Sequence, residues 1–216
     1  MFLRAIISLG CPSVIGRHGE FETILTAKTK LRKENGNMKT QRNSSRCLAL
    51  HMAEGGLIAA LYVVLTMLVN AFGLANYPIQ LRLSEALCIL PVFTPAAIPG
   101  LFIGCLLSNL MSGCIWQDVV FGSLATLIGA VCTYLIGKAC KERPRVCGVL
   151  AGIPAVVANA LIMPPVLKFA YMLPGSVWYF FVTVSIGEVL SAWLVGWLLY
   201  TALYPRRDKI FRAPRL

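Results

Sequence analysis

Six ionisable side chains stand inside or at the edges of long apolar runs in this sequence. They are Glu54, Arg82, Glu85, Asp118, Lys168 and Glu188. A charged group at the depth of a hydrocarbon layer is costly, so such a residue marks a buried pairing partner or a functional site. Glu188 is the strongest candidate for such a residue, because it lies well inside its run, follows Gly187 and has apolar residues on both sides. Glu85 lies three positions after Arg82, and a local ion pair and a ligand contact explain it equally well.

The remaining charged residues of this set also have simple structural explanations. Glu54 is close to the start of its run and can reach the membrane interface. Asp118 follows Trp116 at the start of another run, where a carboxylate suits the first turn of a helix. Lys168 can extend its ammonium group outward along its apolar stem.

Two amides and several aromatic rings add to the candidate chemistry. Asn109 and Asn159 lie within apolar runs and need a hydrogen-bond partner from another helix or from a ligand. Tyr77, Trp116 and Trp178 fall at one membrane boundary, where a belt of aromatic rings is the ordinary explanation. These rings lie on the same side as the loop acids. A planar, nitrogen-rich ligand could stack there and donate N–H groups to a carboxylate.

The composition indicates which elements must position these residues. Of 216 residues, 57% are hydrophobic and 13% are charged, against roughly 25% charged in a soluble domain. With a mean hydropathy of +0.73, lipid must be the solvent for much of the chain. The apolar runs are 51–71, 84–93, 95–112, 116–137, 146–168 and 177–204. They predict an all-α polytopic membrane protein with six transmembrane helices, although the second run alone is short for a span.

The net charge of +11 is distributed very unevenly. Twelve Lys and Arg residues lie in 38–50, 138–145 and 205–216, whereas only Arg82 and Lys168 lie on the other side. By the positive-inside rule, both termini and the 138–145 loop are cytoplasmic. The basic tails carry no interleaved aromatic residues and no known fold motif, so we expect no nucleic-acid partner.

The first 37 residues differ from the rest of the chain. A signal peptide fits poorly, because the apolar stretch is short and a long charged run follows it. The pair Lys33-Glu34 can be encoded by a purine run typical of a ribosome-binding site, three residues before Met38. We therefore expect residues 1–37 to be a non-native or disordered extension, residues 38–50 a cytoplasmic segment, and 205–216 a basic cytoplasmic tail.

Small residues give the first run a flat helix face. Gly55, Gly56, Ala59 and Ala60 form two overlapping spacings of four, which suit close packing within the chain or against an external partner.

The sequence lacks the residues that several kinds of active site need. The two histidines lie ahead of the spans or at the very start of the first one, the cysteines are spread singly, and no phosphate-binding loop is present. We expect no catalytic residue, metal or cofactor, and no hydrolysis of ATP by this chain itself.

Four stretches carry a resemblance to a known family. They are GLIAALYVVLT (56–66), PIQLRLSEAL (78–87), AIPGLFIGC (97–105) and DVVFGSLAT (118–126). They resemble the QueT-type queuosine-precursor transporters, which are substrate-binding S components of energy-coupling factor (ECF) transporters. The likeness covers about residues 53–204 and does not extend to residues 1–37.

The resemblance implies a six-helix substrate-binding domain over 51–204 in a bacterial cell membrane. It would bind a 7-deazaguanine base from outside and associate with a transmembrane coupling subunit and two cytoplasmic ATPases. S components commonly carry an Ala-xxx-Ala pattern where the coupling subunit docks. Gly56 and Ala60 are the matching pair here, with glycine in place of the first alanine.

The resemblance also suggests roles for the polar residues. The guanine-like edge suits one carboxylate and an aminomethyl cation suits a second, so Glu85 and Glu188 are the expected acids. Arg82 would orient Glu85. Further hydrogen bonds are expected from Gln80, Asn109 and Asn159, stacking from Trp178 or Trp116, and secondary contacts from Tyr77 and Asp118.

Three other functions compete with this one. An ion-driven carrier acting alone would show inverted repeats, which we do not find. An intramembrane enzyme would use Glu188 and Asp118 as acid and base, but a histidine, a metal cluster or a nucleophile turn is missing. A purely structural subunit would need only the small-residue face of the first run.

Overall fold

The computed structural model describes residue 30 and residues 45–73, 82–140, 142–172 and 174–211, apart from the side chain of Asp208. By internal contacts the chain divides after Leu48, and the packing described below concerns the unit Ala49–Leu216. Within Met1–Leu48, the described part is Lys30 and the first turn of a helix. The predicted start at Met38 and the predicted ligand contacts Tyr77 and Gln80 lie outside the described residues.

The described chain forms six apolar helices and a short terminal one. They are α1 (Ser45–Ala71), α2 (Leu83–Val92), α3 (Ala97–Met111), α4 (Trp116–Ala139), α5 (Pro144–Ala170), α6 (Val177–Arg206) and the short α7 (Arg207–Ile210). Helices α1, α4, α5 and α6 are long and apolar enough to cross a membrane. No strand occurs in the described ranges. The all-helical, polytopic membrane architecture predicted from the apolar runs is confirmed.

The two shorter helices each cover much of the thickness of a membrane. Helix α2 is a 3₁₀-helix of ten residues, and at about 2 Å per residue it covers about 20 Å. Helix α3 has 15 residues, or about 22 Å at the α-helical rise. They therefore cover about two thirds (α2) and about three quarters (α3) of the hydrocarbon core of a bilayer, which is about 30 Å thick.

Proline changes the hydrogen-bond register of α5 rather than ending it. Pro164 and Pro165 lie inside the helix, and the next five residues, Val166–Ala170, form a π-helical segment. Proline lacks the N–H that an α-helix needs and displaces the preceding carbonyl, so a local change of register is the expected response. A turn at 151–152, shortly before Pro154, joins the two helical pieces at the start of α5.

Helices α1 and α3 approach each other very closely through small residues. A Cβ atom added at Gly100 would lie 2.6 Å from the carbonyl oxygen of Gly55. One added at Gly104 would lie 2.8 Å from Cβ of Tyr62 and 3.1 Å from Cα of Ala59. Larger side chains at either glycine would force the two helices apart, so this contact fixes where Tyr62 points.

Successive helices run in alternating directions. Thr133 of α4 donates a hydrogen bond to the Ala151 carbonyl at 2.8 Å, while Tyr171, just after α5, meets Asp118 at the start of α4. The end of one helix also lies near the start of another at Thr66 and Ser84 (α1 and α2), at Asn109 and Gly122 (α3 and α4), and at Tyr200 and Gly148 (α6 and α5). Val92 and Gly137 bring together the ends of α2 and α4, so these two helices run in the same direction. Consequently one end of the bundle, here called the basic end, carries Lys138, Arg143, Arg145, Arg206 and Arg207. The opposite end carries Arg82, Asp118 and Lys168.

Helix α2 lies at the centre of this bundle. Residues from Ser84 through Pro91 are buried, and a Cβ atom at Gly196 of α6 would lie 3.5 Å from the Ala86 carbonyl. The main apolar core surrounds α2 and includes Leu87, Ile89, Leu101 and Tyr200. The single charged side chain inside α2, Glu85, is thereby carried into the middle of the protein.

Candidate ligand-binding site

Glu85 is completely buried and well supplied with hydrogen bonds from its neighbours. The Tyr62 hydroxyl donates to Oε1 at 2.5 Å, and the Cys88 thiol donates to Oε2 at 3.0 Å. The Thr126 hydroxyl of α4 lies 3.4 Å from Oε1 and 3.1 Å from the Gly122 carbonyl, and it shares its one hydrogen between these acceptors. Both carboxyl oxygens are therefore engaged by the protein, and Glu85 joins α1, α2 and α4 at one point.

Arg82 pairs with Asp118 across the bundle. Its Nη2 lies 3.9 Å from Oδ2 of Asp118, so its ion pair is with α4 rather than with Glu85 in the next turn. Tyr171 donates a hydrogen bond to the same Oδ2 at 2.9 Å. Burial raises the pKa of Tyr171 above its ordinary value, and the charge of Asp118 raises it further. The Tyr171 hydroxyl thus remains a donor to Asp118 through the physiological pH range.

The second oxygen of Asp118 lies beside a glycine and the amide of Asn109. Asp118 is 3% exposed, and its Oδ1 has no hydrogen-bond partner among the residues that the structure describes. A Cβ atom added at Gly122 would lie 3.5 Å from this oxygen and 3.1 Å from Nδ2 of Asn109. The bare glycine therefore lets the amide of Asn109 and the carboxyl group of Asp118 lie close together against α4, where one ligand could contact both.

Glu188 is the other buried acid with an unused oxygen. It is 5% exposed, and within the described part of the chain its Oε2 has no hydrogen-bond partner. Asn159 on α5, Glu85 and Arg82 all lie near enough to interact electrostatically with this carboxyl group. A π-helical segment, Val189–Val195, begins at the very next residue. Such segments occur often at functional sites, because they shift side chains out of the regular helical register.

These residues together form a buried polar cluster that is only partly satisfied. Burying a polar oxygen without a hydrogen bond costs free energy, so native proteins rarely leave such atoms alone. A ligand that offers N–H groups would supply the missing donors to Asp118 and Glu188. The amides of Asn109 and Asn159 can both donate and accept, so they suit a heterocycle that carries both kinds of group.

The tryptophans expected to stack on the ligand lie apart from this cluster. Trp116 is 69% exposed and Trp178 is 77% exposed at the starts of α4 and α6. The Trp178 ring packs edge-on against Phe181, with 6.0 Å between centroids. The structure brings together Arg82, Glu85, Asn109, Asp118, Asn159 and Glu188, and leaves both tryptophan rings on the surface.

Sequence reasoning did not single out several side chains that complete the cluster. Tyr62 and Cys88 bond Glu85, and Thr126 donates to Glu85 and contacts Cys105 at 3.4 Å between Oγ1 and Sγ. Each of these residues places a polar atom inside an apolar run, which is the same signal that identified Asn109. Thr126 also closes the 118–126 stretch, so its position in that stretch was a second signal.

The two small-residue pairs of α1 face in different directions. Gly55 and Ala59 are buried against α3, whereas Gly56 and Ala60 are exposed. A Cβ atom added at Gly56 would meet nothing within 4 Å. Internal packing therefore accounts for one pair and leaves the other on an open helix face.

Comparison with known proteins identifies the family. A sequence profile described as QueT transporter matches residues 52–205. The chain belongs to the QueT transporter family. The family match covers α2 to α6 and most of α1, and it includes every described residue of the cluster. A transporter family also disfavours the enzyme alternative and confirms the expected location, a multi-pass protein of the bacterial cell membrane.

One curated relative gives a more specific name. The chain is 42% identical over 72 residues to the queuosine precursor transporter QueT of Lactococcus lactis subsp. cremoris (strain MG1363). That alignment covers 33% of this chain and 42% of the relative, so it spans less than half the length of either chain. No solved structure matches the chain.

Proposed function

We propose that this QueT family member is the substrate-binding membrane subunit of an ECF-type importer for a queuosine precursor. The family assignment, the Lactococcus relative's name and the polytopic helical fold support the transport role. The sequence carries no phosphate-binding loop, so ATP hydrolysis belongs to two separate cytoplasmic ATPases. A transmembrane coupling subunit links them to this chain.

The observation that carries the ligand assignment is the pair of unused acid oxygens. Oδ1 of Asp118 and Oε2 of Glu188 are buried acceptors without a partner in the described structure. A 7-deazaguanine base presents adjacent N–H donors on its guanine-like edge, and an aminomethyl substituent adds a cation. Each of these groups suits one carboxylate, since charge-assisted hydrogen bonds in a dry site are strong.

Glu85 has a supporting role in this proposal. The sequence made Glu85 and Glu188 the two expected acids, yet both oxygens of Glu85 already accept hydrogen bonds from Tyr62, Cys88 and Thr126. Glu85 therefore holds α1, α2 and α4 in register around the ligand. Asp118, expected only as a secondary contact, replaces Glu85 as the acid that contacts the ligand together with Glu188. Asn109 and Asn159 complete the hydrogen bonds to the base.

The outer face of α1 is the proposed docking surface for the coupling subunit. Gly56 and Ala60 are exposed, and Leu57 and Leu61 beside them are 64% and 45% exposed. A flat, small-residue stripe flanked by leucines suits close contact with another transmembrane helix. In this proposal the six helices all cross the membrane and the basic end, with both termini, faces the cytoplasm.

Calorimetry on the purified protein tests the ligand assignment. Wild type is titrated with 7-deazaguanines that bear a nitrile, an aminomethyl or a larger substituent, which also identifies the preferred precursor. We expect Asp118→Asn combined with Glu188→Gln to abolish measurable binding, while Glu142→Gln, an exposed acid in the basic-end loop, binds like wild type. Wild-type affinity in the double variant would overturn the assignment.

Uptake of labelled precursor in cells tests the coupling. We expect uptake to require the coupling subunit and the ATPases, and Gly56→Leu to block uptake while binding in calorimetry persists. Uptake that is independent of the ATPases would instead identify a carrier that acts alone.

A further inference from the structure

Cys105 of α3 links the amide of Asn109 to the hydrogen bonds around Glu85. Nδ2 of Asn109 lies 3.6 Å from Sγ of Cys105, and this sulfur lies 3.4 Å from Oγ1 of Thr126. The Thr126 hydroxyl lies in turn 3.4 Å from Oε1 of Glu85. All four side chains are buried, with exposed fractions of 4% or less. A continuous chain of polar atoms therefore joins Glu85 to Asn109.

The direction of these hydrogen bonds follows from the single hydrogen that each hydroxyl or thiol group carries. The Thr126 hydroxyl shares its hydrogen between Oε1 of Glu85 and the Gly122 carbonyl, at 3.4 and 3.1 Å. Its oxygen is then an acceptor toward Cys105, whose thiol can donate. Once the thiol hydrogen is directed to Thr126, the sulfur can only accept from its other neighbour. The amide of Asn109 therefore turns its NH₂ group toward Cys105.

The opposite orientation of the amide makes fewer hydrogen bonds. If Oδ1 of Asn109 faced the sulfur, the thiol would donate to it, and the oxygen of Thr126 would lose its donor. Cys105 would then make one hydrogen bond instead of two. Buried polar atoms are nearly always satisfied in native proteins, so the orientation with two bonds is favoured. The described residues give the Asn109 side chain this one bond to Cys105, which leaves Oδ1 as an unused acceptor.

This unused acceptor belongs to the proposed ligand site. A Cβ atom added at Gly122 would lie 3.1 Å from Nδ2 of Asn109 and 3.5 Å from Oδ1 of Asp118, so both polar groups lie against the same part of α4. Oδ1 of Asp118 is also a buried acceptor without a donor among the described residues. Two such acceptors suit an edge with two N–H donors, and they disfavour an edge that presents a ring nitrogen with a lone pair.

We propose that Cys105 is a positioning residue that makes Asn109 an acceptor and thereby selects bases with a guanine-like edge. This inference rests on the proposed function and deepens it, because it states how the site distinguishes one purine-like base from another. Asn109 and Asp118 accept from the adjacent N–H groups of a 7-deazaguanine. A 7-deazaadenine meets these acceptors with a lone pair at the ring nitrogen where the guanine-like base carries a hydrogen.

Infrared spectroscopy of the ligand-free, full-length protein tests the direction of the hydrogen bonds. The S–H stretching band of Cys105 is identified by its loss in Cys105→Ala, and its frequency is lowered when the thiol donates. We expect Thr126→Val, which removes the acceptor, to shift this band to higher frequency, and Asn109→Ala to leave it in place. A shift in Asn109→Ala but not in Thr126→Val would mean that Cys105 donates to Asn109, and it would overturn the proposal.

Calorimetry tests the selectivity with a 7-deazaguanine and a 7-deazaadenine that carry the same aminomethyl substituent. We expect the ratio of their affinities to fall about tenfold in Cys105→Ala, because the amide of Asn109 can then turn over. Cys105→Ser keeps a donor and an acceptor at this position and should retain the wild-type ratio. Cys147→Ala, which removes a buried thiol at the basic end, is the matched control.

Two calorimetric results would overturn the proposal. One is an equal loss of affinity for both bases in Cys105→Ala, which would indicate a purely structural role. The other is the same loss of selectivity in Cys147→Ala. Thermal unfolding verifies that the variants fold. The infrared result needs no ligand, so a failure of this proposal is distinct from a failure of the ligand assignment, in which wild type would bind neither base.

Discussion

Both halves of the polar cluster contain buried carboxyl groups, but the halves differ in whether the protein supplies a hydrogen-bond donor to every carboxyl oxygen. Around Glu85, the protein supplies donors to both carboxyl oxygens from Tyr62, Cys88 and Thr126. Around Asp118 and Glu188, each acid keeps one buried oxygen without a donor in the described structure. Residue type and burial do not separate these halves, whereas the hydrogen-bond inventory does. A saturated acid holds helices together, and an unsaturated one is available to a ligand.

The largest effect is expected on the unsaturated side, at Glu188. Glu188→Gln removes the charge that a ligand N–H group would meet, and losing one charged partner in a dry site costs about 2 to 5 kcal/mol. Affinity for the deazaguanine should therefore fall about 30-fold or more, as measured by calorimetry. The free energy of unfolding should change little, because Oε2 of Glu188 gives up no donor in the described part of the free protein. An unchanged affinity together with a lowered free energy of unfolding would mean that Glu188 holds helices together and does not contact the ligand.

The saturated side should give the opposite pattern. Glu85→Gln removes the charge that accepts hydrogen bonds from Tyr62 and Cys88, and a hydrogen bond to a charged group contributes about 1.5 to 3 kcal/mol. We expect unfolding in detergent to become easier by that amount, with affinity reduced less than about fivefold. Glu142→Gln, exposed at the basic end, is the control for loss of charge. If Glu85→Gln and Glu188→Gln weaken binding equally, the distinction between the two halves fails.

The sequence predicted the helices much better than the pattern of contacts among them. The predicted run 84–93 corresponds to the helix Leu83–Val92, and the predicted run 116–137 corresponds to the helix Trp116–Ala139. These predictions succeed because the length and apolarity of a span are local properties of the sequence. The bond from Tyr62 to Glu85 joins residues 23 positions apart and depends on how α1 meets α2. Likewise Arg82 pairs with Asp118 rather than with nearby Glu85, a choice that side-chain spacing along one helix cannot reveal. The buried acids were correctly singled out as unusual, but their neighbours decide which of them remain unsatisfied.

A smaller effect is expected when the space beside Asp118 is narrowed. In Gly122→Ala the new methyl group would lie 3.1 Å from Nδ2 of Asn109 and 3.5 Å from Oδ1 of Asp118. To relieve this overpacking, Asn109 or Asp118 must move from the position in which it would meet the ligand, so affinity should fall about tenfold. Gly56→Ala is the matched control, because a Cβ atom there meets nothing within 4 Å. Equal binding by both alanine variants would show that the ligand does not use the space over Gly122.

The smallest effect should come from the donor that positions Asp118. Tyr171→Phe removes one hydrogen bond to Oδ2, a net contribution of about 1 kcal/mol, so affinity should fall about fivefold. The raised pKa of Tyr171 keeps the wild-type hydroxyl protonated above the usual titration range. The difference between the variant and wild type should therefore be constant from about pH 6 to about pH 9, below the ordinary tyrosine pKa of about 10. Calorimetry across this range measures it, with Tyr179→Phe, at an exposed position of α6, as the control. A difference that disappears as the pH rises would mean that Tyr171 ionises and that Asp118 is positioned by Arg82 alone.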